Sequence, residues 1–136
     1  MYLGDFSFTL GTVVRRETGM RVLIVDDQPR VRQALRFLLE QEEGIVVVGE
    51  ASGAESALAH IAQTCPDIVL LDWSLQGAAA NGLLYVLRQT CSHLRVIVLS
   101  GQPAVEDDAL AAGAEAFVSK ADPPERLLAA LRLVQS

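Results

Sequence analysis

The sequence predicts an α/β fold, a (βα)5 unit with a doubly wound parallel sheet, on three observations. Five short apolar runs recur along the chain, segments with apolar residues at helical spacing separate them, and the runs are close to continuously apolar rather than alternating. Strands of that kind are covered on both faces, so helices must pack on both sides of the sheet. Right-handed crossovers then leave few topologies.

The elements follow in order. Val22-Leu23-Ile24-Val25 is the first run, ended by Asp26-Asp27. Pro29 suits the first turn of a helix, Val31, Leu35, Leu38 and Leu39 continue at helical spacing, and Gly44 closes the segment. Ile45 to Val48 is the second run, and Ala54, Leu58 and Ile61 predict a helix ending near Pro66. Ile68 to Leu71 is the third run, ended by Asp72; Leu83, Leu84 and Leu87 mark the next helix. Leu94 to Leu99, broken by Arg95, is the fourth run, ended by Ser100, with a weak helix over roughly residues 103–112. Ala116 to Val118 is the fifth, ended by Ser119-Lys120. Asp122-Pro123-Pro124-Glu125 reads as a capping box opening a last helix through Leu127, Leu128, Leu131 and Val134. Residues 1–20 stand apart: Phe6, Phe8 and Leu10 alternate weakly with polar residues among glycines. They are expected to be an N-terminal extension, either a tail or an extra strand, ahead of a single domain over residues 21–136.

Composition narrows the function classes. The chain has 136 residues, room for one domain with a real core. Net charge is -6 with no run of like charges longer than three, which argues against nucleic-acid binding by this domain, since phosphate contacts need a basic face. No apolar stretch reaches the ~18 residues of a membrane span, and the N-terminus does not read as a signal peptide. A cytoplasmic protein with no membrane partner is expected. Cys65 and Cys91 lack metal-ligand spacing and are expected to be free thiols; they precede neighbouring strands, so a disulfide is the alternative. His60 and His93 are expected to be solvated surface residues.

In an open parallel sheet, ligands bind outside the carboxyl ends of the strands. The polar residues there are Asp26, Asp27, Asp72, Ser100 and Lys120. Three crowded carboxylates repel one another, and a hard divalent cation relieves that. Mg²⁺ prefers oxygen ligands and is usually held by one or two carboxylates plus a phosphate. The spare carboxylate is a candidate nucleophile, whose attack on phosphorus gives an acyl phosphate. Lys120 and Ser100 would supply charge and a donor to the phosphoryl oxygens. Lys120 is the single lysine among eleven basic residues, which adds modest weight.

These residues carry a resemblance. "RVLIVDDQPRVRQAL", "PDIVLLDWSL", "LRVIVLSG" and "GAEAFVSKADPPERLLAAL" resemble the receiver domain of two-component response regulators, a CheY-like domain, and are most similar to the LuxR/NarL type. The resemblance implies a flavodoxin-like strand order 2-1-3-4-5. It also implies that Asp72 takes a phosphoryl group from a sensor histidine kinase or phosphotransfer protein, the domain catalysing only its own phosphoryl transfer and dephosphorylation. Asp26, Asp27 and Asp72, with the Ser74 backbone carbonyl, would hold Mg²⁺. Ser100 and Phe117 would be the switch that reshapes the face of the fourth helix and fifth strand and helix, controlling an output domain or partner.

The chain departs from the family in the loop after Asp72. Gly82 lies ten residues past the acceptor where eight is common, and there is no proline. Phe117 stands where tyrosine is common; Trp73 is read as a cover over the phosphoryl site. Glu106, Asp107 and Asp108 read as a solvated helix face. Ala109, Ala111, Ala112, Ala129 and Ala130 suit close helix contact, making a second copy of the chain a candidate partner. Both a stand-alone receiver and a piece of a DNA-binding regulator fit the sequence. A haloacid-dehalogenase-type phosphatase is the competing class, but it needs an Asp where this chain has Ser74.

Overall fold

A computed structural model of the chain describes residues 19–73 and 80–135. Residues 1–18, and with them the tail-or-strand question, lie outside the described residues, as does Ser74. The elements are β1 (Met20–Val25), α1 (Pro29–Glu40), β2 (Ile45–Ala51), α2 (Ala54–Thr64), β3 (Ile68–Asp72), α3 (Ala80–Thr90), β4 (Arg95–Ser100), a 3₁₀ turn (Pro103–Val105), α4 (Glu106–Ala111), β5 (Ala116–Ser119) and α5 (Pro124–Gln135).

The five strands form one parallel sheet in the order β2-β1-β3-β4-β5, as expected. Side chains alternate across it, and each face has its own core. Val22 and Ile24 of β1 join Leu39 of α1 and Leu127 and Leu131 of α5. Leu23 and Val25 join Ala57 and Ile61 of α2 and Leu84 and Leu87 of α3 on the other face. This double cover explains why β3 is buried along its whole length, and why its sequence does not alternate.

Local details differ from the sequence reading in several places. The weak fourth helix falls where expected but is a 3₁₀ turn running into six α-helical residues. Asp122 does not lead directly into the last helix, which starts at Pro124; its carboxylate turns back to accept the Ser119 N–H at 3.3 Å. Trp73 is 8% exposed within the core under α2 and α3, so it is a packing residue rather than a cover. Ala109 is fully buried in that same core and is unavailable to a partner, whereas Glu106, Asp107 and Asp108 are exposed as expected.

The cysteines require a correction. Cys65 caps α2 in the left-handed conformation and Cys91 follows α3, which brings their Cα atoms to 5.8 Å. That separation suits a disulfide, and the two are joined rather than free. His60 also differs: it is half-buried against Gly49, while His93 is exposed. Among the described residues no helix is long and apolar enough to cross a membrane.

Candidate functional site

The site is built where β1, β3, β4 and β5 end. Asp26 follows β1, and its main-chain N–H is held by the Ala51 carbonyl at the end of β2. Gln28 stays extended before Pro29 opens α1, so Asp26 and Asp27 occupy a short turn at the sheet's rim. Asp72 is the last residue of β3. Ser100 and Ser119 end the two adjacent strands in register, and the Lys120 N–H donates to the Ser100 carbonyl at 2.8 Å. Parallel pairing thus carries residues from distant parts of the sequence to one edge.

The carboxylates of Asp26, Asp27 and Asp72 each offer an oxygen, and these lie within 4.8 Å of one another. Asp26 and Asp72 are 1% exposed, whereas Asp27 is open to solvent. Lys120 answers the buried pair: its ammonium lies 2.8 Å from Asp26 Oδ2 and 3.4 Å from Asp72 Oδ1. Burial acts to lower the Lys120 pKa, but the Asp26 hydrogen bond and the charges of Asp72 and Asp26 outweigh it and raise the pKa overall. The ammonium is therefore charged at neutral pH. Ser100 is buried, and its hydroxyl oxygen accepts the Gln102 N–H at 3.0 Å. Phe117, opposite Val98 on β5, is half-buried against the α2–α3 core.

Each oxygen of Asp26 has a partner. Oδ1 accepts the Gln28 N–H at 2.9 Å, Oδ2 accepts Lys120, and the main-chain carbonyl accepts Arg32 Nη1 at 2.7 Å. An all-oxygen set with two anions buried and one exposed fits a small hard divalent cation. Asp26, Asp27, Asp72 and Lys120 therefore converge, and Ser100 ends the neighbouring strand at the same rim. Arg32, Arg36 and Glu50 were not singled out from the sequence. Two arginines four residues apart on one helix face, near a glutamate ending a strand, were the available signal.

Comparison with known proteins gives the class. Residues 22–132 match the response regulator receiver domain family, and the chain belongs to that family. It is 35% identical over 117 residues to the nitrate/nitrite response regulator protein NarP of Escherichia coli K12, covering 85% of this chain and 54% of that protein. It is 32% identical over 119 residues to response regulator UvrY of the same organism, covering 86% and 55%. The chain thus spans about half the length of these curated relatives. Among solved structures, a LuxR-family two-component response regulator from Aurantimonas sp. SI85-9A1 is similar with a TM-score of 0.77 and 32% identity, over 85% of this chain and 84% of that one. The isolated receiver domain of RcsB from Salmonella enterica serovar Typhimurium, determined with the phosphomimetic BeF3-, is similar with a TM-score of 0.75 and 29% identity, over 86% and 88%. The chain is accordingly a receiver domain of the LuxR/NarL type.

Proposed function

We propose that the chain is the phosphoacceptor module of a two-component phosphorelay and that Asp72 accepts the phosphoryl group. The observation that supports this most is the juxtaposition of one buried strand-end carboxylate with two further carboxylates and a charged lysine. An Asp72 oxygen attacks the phosphorus of a phosphohistidine on a sensor kinase or phosphotransfer protein. The P–N bond breaks, the imidazole leaves with its electron pair, and Asp72 becomes an acyl phosphate. Water later attacks the phosphorus, releasing inorganic phosphate and restoring the carboxylate.

Asp26, Asp27 and Asp72 would hold Mg²⁺, joined by the Ser74 main-chain carbonyl that the family resemblance implies. When bound, Mg²⁺ would neutralise charge on the phosphoryl oxygens. Lys120 leaves Asp26 and pairs with the phosphoryl group, and the Ser100 hydroxyl donates to a second oxygen. Movement of Ser100 opens space that the Phe117 ring fills, so the face of α4, β5 and α5 changes shape. That face would act on an output domain, a partner or a second copy. The domain acts in the cytoplasm, on protein partners rather than on nucleic acid or membrane, and catalyses only its own phosphoryl transfer and loss.

Labelling with phosphoramidate, with Mg²⁺ or with EDTA, tests the reading. Phosphorylation that needs the cation is expected; equal labelling in EDTA would contradict the role given to the three carboxylates.

A further inference from the structure

Beneath the acidic site lies a group of charged residues that phosphoryl transfer does not use. It begins with an irregularity in β2. Met20 and Val22 of β1 stand opposite Ile45 and Val47, yet Leu23 stands opposite Gly49, so Val48 is the extra residue of a bulge. Ile45 and Val47 pack on the α1–α5 side of the sheet. One extra residue inverts the alternation, so Glu50, opposite Ile24, emerges on that same side. Gly49 then faces α2, where an added Cβ would lie 2.8 Å from His60 Nδ1. Without the bulge, Glu50 would point towards α2 and away from α1.

Instead Glu50 meets α1. Arg36 Nε lies 2.6 Å from Glu50 Oε2, and Arg32 Nε lies 3.1 Å from Oε1. Arg32 makes one contact that Arg36 does not, its Nη1 donating to the Asp26 carbonyl at 2.7 Å. That carbonyl belongs to the peptide joining Asp26 to Asp27. Holding that plane restricts the torsions on either side of it, ψ of Asp26 and φ of Asp27, and with them the directions in which both side chains leave the turn. No hydrogen bond to the Asp27 carboxylate is seen among the described residues, so the backbone of the turn is the restraint on where it leaves the chain. A bare cation this close would also oppose a divalent ion. Pairing with Glu50, which Arg36 shares, offsets part of the charge of Arg32 and leaves its directional bond.

We infer that Arg32, clamped by Glu50, is a positioning residue for the Asp26–Asp27 turn and thereby sets the divalent-cation affinity of the Asp26, Asp27 and Asp72 cluster. This rests on the reading of that cluster as a cation site. Partners that orient metal ligands typically change affinity by about 10–100-fold when removed.

The test uses the whole chain and two readouts. The first is the Gln28 amide resonance in metal-free protein, since that N–H sits on Asp26 Oδ1. The second is Mg²⁺ affinity from Trp73 fluorescence. Arg32→Ala is expected to move the Gln28 resonance and to weaken Mg²⁺ about tenfold. Arg36→Ala, which loses the Glu50 pair without touching Asp26, should leave the resonance near its wild-type place and cost much less affinity. Arg32→Lys, the variant to use if Arg32→Ala does not fold, should lie between. A wild-type Gln28 resonance and wild-type affinity in the Arg32 variants would overturn the inference, and so would equal losses in the Arg32 and Arg36 variants. If wild type itself binds no Mg²⁺, the cation reading fails, and with it the affinity part of the inference, whereas the Gln28 resonance still decides the positioning part.

Discussion

The Lys120 ammonium sits closer to Asp26, at 2.8 Å, than to Asp72, at 3.4 Å. The lysine proposed to serve the phosphoryl group thus rests on a carboxylate of the proposed cation cluster. Both carboxylates are nearly inaccessible to water. Removing one partner of such a pair leaves charge buried without its counter-ion, which costs more than losing a surface ion pair.

Lys120→Ala should therefore destabilise the metal-free domain by about 1–3 kcal/mol, discounted from a fully buried pair because the lysine is partly exposed. The loss should be smaller in saturating Mg²⁺, because a bound cation takes over the neutralisation. Thermal unfolding in EDTA and in Mg²⁺ gives the comparison. An equal Tm loss in both would show that Lys120 does not balance the cluster.

Glu50 gives a pH dependence. The Arg36 hydrogen bond lowers its pKa from the ordinary 4.5, burial opposes this, and Arg32 adds to the lowering. A carboxylate with a depressed folded-state pKa contributes stability above its unfolded value and loses it as pH falls through the folded one. Arg36 also pairs with Glu40, so the contribution is shared. Glu50→Gln should cost about 1 kcal/mol at pH 7, and the gap to wild type should close below pH 4.5. Denaturant unfolding at a series of pH values checks it; a gap that persists in acid would assign the loss to packing.

Much of the fold was legible because each level of the sequence agreed. Strands buried on both faces read as unbroken apolar runs, as Ile68 to Leu71 do. The strand-end residues were found by the same logic, since each apolar run stops where its chain reaches the rim. The β2 bulge was not legible: Val46, Val47 and Val48 are alike in type, and only pairing with β1 shows which is extra. Glu50 and Arg32 were missed for that reason. Trp73 was misread because its neighbour Asp72 lies at the site, while its own side chain falls on the core face. The cysteine pairing depended on the left-handed cap at Cys65, a backbone feature that a non-glycine residue does not advertise.

The disulfide closes a loop over a sequence separation of 26 that contains β3 and Asp72. A loop of that size is worth about 3 kcal/mol to the folded state by restricting the unfolded chain. Dithiothreitol should lower the Tm of wild type and leave Cys65→Ser unaffected. No response of wild type to reductant would show that the pair does not contribute.

In the proposed switch, Ser100 links phosphorylation to the α4–β5–α5 face. Ser100→Ala should still take phosphate from small donors, yet uncouple the face. Amide shifts over residues 103–112 and 127–131, with and without beryllofluoride, should be large in wild type and small in the variant. Equal shifts in both would route the coupling elsewhere, and Phe117→Ala would be the next variant to compare.

The central claim is that Asp72 is the phosphoacceptor. Intact-mass measurement after incubation with acetyl phosphate and Mg²⁺ tests it most directly, on wild type and on Asp72→Asn side by side. Wild type should gain a single phosphoryl group and Asp72→Asn none, although the variant keeps the fold and the Lys120–Asp26 contact. Undiminished labelling of Asp72→Asn would place the phosphoryl group elsewhere and contradict the account.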